Sequence, residues 1–384
     1  MPHSKRNAVI IGGGMIGAVH LTAARSVGAT VRGVVGSTPE RSIELKEAWD
    51  VEVTYPDLEA VLADDTVDVV HVCTPNTLHA EQAAAALRAG KHVICEKPMA
   101  TTVTDAQMLE SVSAEADRVL AVPFVDRYHP LVREIRSRRE RGDFGDWQVI
   151  HGSYLQDWML AETTTNWRVD RRQGGRSRAV ADIGSHWCDL VEWVAGITFT
   201  QAVARLAVTR AERPAPLPGE GDRSSGETGL TRVRTEDVAT VLLRTDDGVL
   251  ASVTVSQVSA GRKNRLWFEL DGSAGSAVFD QECPESIWLG GAESSTILVR
   301  DPNVGSAEQR RLSVLPAGHA QGYADCFRAF TADAYAAMAG EAVLGLPTAT
   351  DGVRSTGLVD AVLQSNDTMG WVPIRTVSRQ EVAS

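Results

Sequence analysis

The chain runs to 384 residues, 43% hydrophobic and 23% charged, with a formal net charge of −12, long enough for two domains that each bury a core. The acidic balance excludes a general nucleic-acid binder, which needs a basic face for phosphate, and no apolar run approaches the roughly 18–20 residues of a membrane span, so neither nucleic acid nor membrane is an expected partner. Five cysteines (Cys73, Cys95, Cys188, Cys283, Cys326) without a CxxC pair speak against a disulfide framework or zinc site, so reduced thiols and no metal are expected; with no signal-peptide pattern before the first apolar run, the expected location is cytoplasmic.

In the first third, short β-branched runs alternate with Ala- and Leu-rich stretches of helical spacing. The runs are AVII (8–11), TVRGVV (30–35), VDVVHVCT (67–74), KHVI (91–94) and VLAVPF (119–124), and HAEQAAAALRAG (79–90) is a representative spacer. This pattern predicts an α/β fold with a doubly wound parallel sheet over residues 1–125. Residues 126–384 are expected to form a second α/β domain. Within it, 211–237 is rich in Pro, Gly and Ser and reads as a long mobile insertion, a lid or an oligomer contact. ATVLLRTDDGVLASVTVSQ (239–257) predicts a hairpin turning at Asp-Gly, and DGVRSTGLVDAVLQSN (351–366) predicts an amphipathic helix returning to the domain junction.

Directly after the first strand, Gly12, Gly14 and Gly17 stand in G-x-G-x-x-G spacing, with Met15 and Ile16 opening the helix. The first glycine permits a tight turn, the second admits a pyrophosphate, the third packs helix on strand, and the helix N-terminus adds partial positive charge. Where an NAD-binding chain usually offers Asp or Glu to the ribose diol stands Gly36, followed by Ser37, Thr38 and Arg41. Two hydroxyls and a guanidinium lean toward NADP, or dual use of NAD and NADP, unless Arg41 is simply a solvated helix residue.

Ligands of such sheets sit at the carboxyl ends of the strands, where CTPN (Thr74, Pro75, Asn76, with His79 following) and CEKP (Glu96, Lys97) fall. Pro98 keeps Lys97 extended, and the bond between them is a candidate for cis.

The segments IGGGMIG, CTPNTLHAEQAAAALRAGKHVICEKP and DIGSH together resemble the Gfo/Idh/MocA family of NAD(P)-dependent sugar and cyclitol oxidoreductases, essentially end to end. The resemblance implies an N-terminal Rossmann domain followed by a larger α/β domain, whose large, open, mostly antiparallel sheet commonly serves as an oligomer interface, hence a homodimer or homotetramer. It also implies catalytic roles for Lys97, Asp182 and His186. Chemistry reaches the same trio: oxidising a secondary alcohol moves a hydride to the nicotinamide and a proton to a base, and histidine titrates near neutrality. If 181–196 is one helix, Asp182 and His186 share a face at i and i+4, and Lys97 from the other domain can hold the same oxygen.

GSYLQDW (152–158), NWR (166–168), GRKN (261–264) and FELDGSAGSAVFD (268–280) most resemble the levoglucosan dehydrogenases and related members that oxidise a sugar hydroxyl, typically at carbon 3. On that resemblance Trp158 and Trp167 stack on pyranose faces, while Gln156, Asp157, Arg168 and Arg127 read hydroxyls; the competing reading of the tryptophans is core filling. The sequence also departs from the family. Arg176, Ser177 and Arg178 stand where relatives carry small glycines, which admits an anionic substrate if the arginines point inward. Val125 and Asp126 replace a frequent Asn and Tyr. The expected function is a sugar or polyol dehydrogenase. Two alternatives are a lyase or glycosidase-type enzyme that borrows the cofactor for transient oxidation, and a non-catalytic NAD(P)-binding regulator.

Overall fold

The computed structural model describes residues 6–214 and 229–375. The first third is a six-stranded sheet built from β1 (Asn7–Ile11), β2 (Thr30–Val35), β3 (Val53–Thr54), β4 (Val69–Val72), β5 (His92–Cys95) and β6 (Leu120–Ala121). All are parallel, in the order β3-β2-β1-β4-β5-β6, the doubly wound arrangement whose crevice opens where the order reverses beside β1. Helices α1 (Met15–Ser26), α2 (Pro39–Trp49), α3 (Leu58–Leu62), α4 (Asn76–Arg88) and α5 (Val103–Ala116) make the crossovers.

The period-2 alternation of the strands divides their side chains between two cores. Val9, Ile11, Val70, Val72 and Val93 pack with Ala83 and Leu87 of α4 and Leu109 of α5. Ala8, Ile10, Val34 and Ile94 pack on the other face, under Leu21 and Ala24 of α1. That second core also takes Phe327, Phe330 and Ala334, from far along the chain.

After a 3₁₀ turn at Val125–Tyr128 come α6 (Pro130–Glu140), β7 (Trp147–Leu155), α7 (Arg171–Gly174), α8 (Ser185–Ala195), β8 (Gln201–Ala207), β9 (Glu212–Pro214), β10 (Leu230–Arg232), β11 (Val238–Arg244), β12 (Leu250–Ser256), β13 (Arg265–Gly272), β14 (Ser276–Asp280), β15 (Ser286–Gly290), β16 (Ser295–Val299), α9 (Ala307–Leu312), α10 (Tyr323–Met338), α11 (Ala349–Thr368) and β17 (Val372–Pro373). Nine of these strands form one sheet in the order β16-β15-β14-β13-β7-β12-β11-β8-β17, antiparallel except for the β7–β12 pair. One face carries Ile150, Val253, Val255, Leu266 and Phe268, buried beneath Trp187, Leu190 and Val194 of α8 and Leu131 and Ile135 of α6. The opposite face is open: Val149, Leu242, Leu250, Ile297 and Val299 are all exposed.

The 239–257 hairpin forms as β11 and β12, turning with Gly248 at φ +93°. The 211–237 insertion is more structured than its composition suggests. β9 and β10 pair antiparallel, and Val233, Thr235, Glu236 and Asp237 are buried, because the insertion is anchored on the core by side chains its Pro, Gly and Ser content conceals; 215–228 lie outside the described residues. The expected return helix is α11, which packs on α5 and β8, while Val122 N–H donates to Pro347 O (3.0 Å). All five cysteines are free, Cys283 alone being exposed. Among the described residues no helix is long and apolar enough to cross a membrane.

Candidate active site

The three glycines occupy the β1–α1 turn with distinct constraints. Gly12 has φ +103°, and a Cβ there would sit 2.3 Å from Cys73 O. At Gly17 a Cβ would sit 2.2 Å from Gly12 O, so helix and strand approach too closely for a side chain. A Cβ at Gly14 would meet nothing within 4 Å. This is open space in front of the helix N-terminus, which has neither a side-chain cap nor an acid in its first turn. A diphosphate fits such a cradle, with its unpaired N–H groups and positive dipole end.

The tip of β5 carries Glu96 and Lys97, and the Lys97–Pro98 peptide is cis. Lys97 Nζ donates to the backbone O of Asp182 (2.9 Å) and to its Oδ1 (2.8 Å). The other carboxylate oxygen, Oδ2, accepts from Gln257 Nε2 (2.8 Å), and Arg168 Nε stands 3.6 Å from Oδ1. Burial pushes the Asp182 carboxyl up, but the Lys97 and Arg168 charges outweigh it and hold the group well below the usual carboxylate range.

Asp182 and His186 do not share one regular α-helix. Val180–Gly184 is a π-helical turn running into α8, the kind of local widening that recurs at functional sites. His186, 9% exposed, is held edge-on by Phe124 (5.7 Å between ring centroids) and Tyr154 (6.3 Å). Its Nδ1 lies 3.1 Å from Asp126 Oδ2. The wall beyond is a hydrogen-bonded chain: Tyr154 Oη and Gln156 Nε2 both donate to Asn264 Oδ1 (2.9 and 2.8 Å), and Trp158 Nε1 donates to Gln156 Oε1 (2.9 Å). Tyr323, at the start of α10, is 44% exposed, yet its hydroxyl end is turned toward the same place: local desolvation first, then the charges of Glu96, Asp126 and Asp182, push it well up.

Other candidates are occupied elsewhere. Arg127 is buried, its guanidinium forked onto Asp189 and also bonded to Asp351 (2.7 Å), which places it at the α8–α11 junction. His79 bridges the two strand-end loops, its nitrogens 2.9 Å from Pro98 O and 2.7 Å from Thr74 O. A neutral ring donates to only one of these, and burial lowers its basicity against the pull of both carbonyls. Thr74 Oγ1 bonds Gln82 (2.6 Å) and Asn76 Nδ2 reaches across to Gly174 O (3.0 Å); Pro75 caps α4. Asp157 is taken by Lys263 Nζ (2.7 Å). Arg168 lies over the Trp167 ring at 4.3 Å.

Thr38 spends its hydroxyl as the α2 N-cap, accepting from Arg41 N (3.1 Å), and the exposed Arg41 pairs with Glu44 (2.6 Å). An acid at position 36 would be obstructed, since a Cβ there meets Ser42 N at 2.7 Å. Of the two basic departures, Arg176 is exposed near Asp360 and Asp367. Arg178 does point inward, but onto Asp237, with both side chains fully buried. Asp237, which also meets Arg213 (3.4 Å), holds that guanidinium within the protein rather than leaving it free for a substrate anion, and Ser177 is likewise bonded to Glu236 (2.6 Å).

The sequence reading missed Gln257, Asn264 and Tyr323 and gave Asp126 no role. A signal existed for Gln257: on β12 the inward positions are Ala251, Val253 and Val255, and the same alternation puts a glutamine next.

Comparison with known proteins matches residues 6–124 to the family model described as GFO_IDH_MocA, an oxidoreductase family with an NAD-binding Rossmann fold, and residues 132–278 to its C-terminal domain. The chain is 28% identical to a levoglucosan dehydrogenase from Pseudarthrobacter phenanthrenivorans, covering 97% of this chain and 99% of that one. Among solved structures, an oxidoreductase domain protein from Kribbella flavida superposes with a TM-score of 0.88 at 29% identity over 97% of this chain and all of the other. A levoglucosan dehydrogenase in complex with NADH and levoglucosan gives 0.87 at 26%, with the same coverage of both chains.

Proposed function

Since the chain belongs to the Gfo/Idh/MocA family of NAD-binding oxidoreductases, we propose that it moves a hydride between a secondary alcohol of a neutral sugar or sugar-like polyol and NAD(P), with carbon 3 of a pyranose as the expected site. The observation that carries this reading is the convergence of Lys97, Asp182 and His186 at the carboxyl ends of the parallel strands, with Lys97 Nζ 2.8 Å from the Asp182 carboxylate.

In this reading the cofactor unit is 1–125 and the substrate unit 126–384. Gly12, Gly14, Met15, Ile16 and Gly17 hold the diphosphate on the α1 N-terminus; Ser37, Thr38 and Arg41 face the adenosine ribose; Thr74, Pro75, Asn76, His79 and Glu96 shape the nicotinamide end. The bound nicotinamide supplies the hydride acceptor or donor. Lys97 holds the reacting oxygen, His186 takes its proton as the C–H hydride leaves, and Asp182, with both oxygens engaged, fixes the lysine. Arg168, 3.6 Å from Asp182, reads substrate hydroxyls with Gln156 and Asp157, while Trp158 and Trp167 offer stacking faces. The pairing of Arg178 with Asp237 favours a neutral substrate over an anionic one. The open face of the nine-stranded sheet, with its exposed apolar row, supports a homodimer or homotetramer.

The test is a panel of neutral sugars and cyclitols against both nucleotides, followed by absorbance of the reduced cofactor and by nucleotide titration. Net reduction is expected with at least one substrate, and NADP affinity within tenfold of NAD, about 1.4 kcal/mol, because the Arg41–Glu44 pair is exposed and easily exchanged for a phosphate. Product without net reduced cofactor would instead show transient oxidation. Binding without turnover of any substrate would show a regulator.

A further inference from the structure

We propose that Asp126 is a positioning residue for His186, holding the imidazole with its proton on Nδ1 so that the Nε2 lone pair faces the reacting hydroxyl; this rests on the assignment of His186 as the base. For imidazole to accept a proton at one nitrogen, the other must carry the N–H, and what that nitrogen faces selects the tautomer. Asp182 is not placed to make the selection. Its oxygens accept from Lys97 and Gln257, and the carboxylate within 4 Å of a His186 nitrogen is that of Asp126.

Asp126 is free to do so. Its Oδ2 stands 3.1 Å from His186 Nδ1, and the two side chains are 13% and 10% exposed. Nδ1 is buried with no aligned hydrogen bond, so a small rotation of either group completes a charge-assisted bond and satisfies an otherwise orphaned atom. Phe124 and Tyr154 hold the ring edge-on, restricting other orientations. The groups facing His186 are Asp126 from the 3₁₀ turn, Asp182 from the π-turn with Lys97 behind it, and Tyr154 from β7. Of these, Asp126 alone offers a carboxylate oxygen within 4 Å of an imidazole nitrogen. The division of labour is therefore one carboxylate per base: Asp182 for Lys97, Asp126 for His186.

The experiment compares the full chain with Asp126→Asn and Asp126→Ala, using ¹⁵N-histidine labelling, with the His186 ring assigned through His186→Gln. The neutral His186 ring should carry its proton on Nδ1 in the parent. In Asp126→Ala it should shift toward Nε2–H or a mixture, and in Asp126→Asn, whose amide oxygen still accepts, it should stay largely on Nδ1. Turnover should separate likewise, kcat falling roughly 10- to 100-fold in Asp126→Ala, within the range acid–base help supplies, and less in Asp126→Asn, with KM within about twofold in both. An unchanged ring tautomer in Asp126→Ala, or a loss carried by KM with kcat intact, overturns the proposal. If the alanine variant does not fold, the near-isosteric Asp126→Leu, which offers no acceptor to Nδ1, takes its place with the same two readouts, and an unchanged ring tautomer or parent-level kcat there refutes the role. A parent that shows the Nδ1–H signature yet reduces no cofactor with any substrate would sink the dehydrogenase reading and leave the Asp126–His186 pairing standing.

Discussion

At the level of single residues the site separates into groups whose spacing announces them and groups whose meaning depends on a partner. Gly12, Gly14, Gly17, Lys97, Asp182 and His186 belong to short local patterns, so they were legible in the sequence. Arg127 looked like a ligand reader, and Arg178 would be one only if aimed at the substrate, because an arginine carries no mark of its destination; Asp189 with Asp351 in one case and Asp237 in the other claim them from distant segments. Lys97 and His186 act on one proton in the proposed chemistry, which makes their variants informative. Lys97→Ala or His186→Ala should lower kcat about 100-fold or more, with nucleotide affinity nearly unchanged. The double variant should lose far less than the product of the single losses, because residues working as a unit are not additive. Single-turnover kinetics with nucleotide titration reads both quantities, and near-full turnover in Lys97→Ala would reduce the lysine to a structural contact of Asp182.

Among the elements, the joint between the two sheets is made by long-range side-chain bonds that periodicity does not reveal. β5, α1, β4 and α10 are tied by one buried chain: Glu96 Oε1 to His20 Nε2 (3.0 Å), His20 Nδ1 to His71 Nδ1 (2.8 Å), His71 Nε2 to Tyr335 Oη (2.9 Å). Burial pushes the Glu96 carboxyl up, yet the bond from His20 and the attraction of His20, Lys97 and His79 together more than offset it and keep the group below the usual range. Burial holds His71 neutral. One consistent assignment follows, with every proton directed toward the carboxylate: Tyr335 O–H to His71, His71 N–H to His20, His20 N–H to Glu96. The apolar patterns of β4 and α10 were readable, but polar partners 264 positions apart were not. Tyr335→Phe keeps the ring and leaves the His71 acceptor buried and unpaired, at a cost of about 1–3 kcal/mol. Its thermal midpoint should fall while kcat stays within a few-fold of the parent. A midpoint equal to the parent's would mean that the chain contributes nothing at its α10 end.

For the molecule as a whole, the way histidines are buried predicts acid sensitivity. Burial holds His71 and His79 below the ordinary imidazole value of 6.5 and pulls His92 and His129 down to about 4. Each binds a proton more readily unfolded than folded, so it weakens the folded state as pH drops below about 6.5 and costs nothing above it. Buried carboxylates held above their usual range, such as Glu236, work in the opposite sense, so a variant difference is more diagnostic than the raw curve. His129 is the cleanest case: 4% exposed, its Nδ1 accepts from Leu131 N–H (3.2 Å) as the N-cap of α6, and protonation there abolishes the cap. A drop from 6.5 to about 4 corresponds to on the order of 3 kcal/mol for a fully buried group. Asparagine caps helices well and does not titrate, but it loses the contact of the His129 ring with Phe279, 4.8 Å away. Near pH 7.5 His129→Asn should therefore melt slightly below the parent. As pH falls from about 6.5 toward 4 the gap should close and then invert, because only the parent pays for the buried proton. Parallel melting curves across that window would show that His129 stays neutral through unfolding or titrates alike in both states, and the acid sensitivity would have to be sought at His71, His79 and His92.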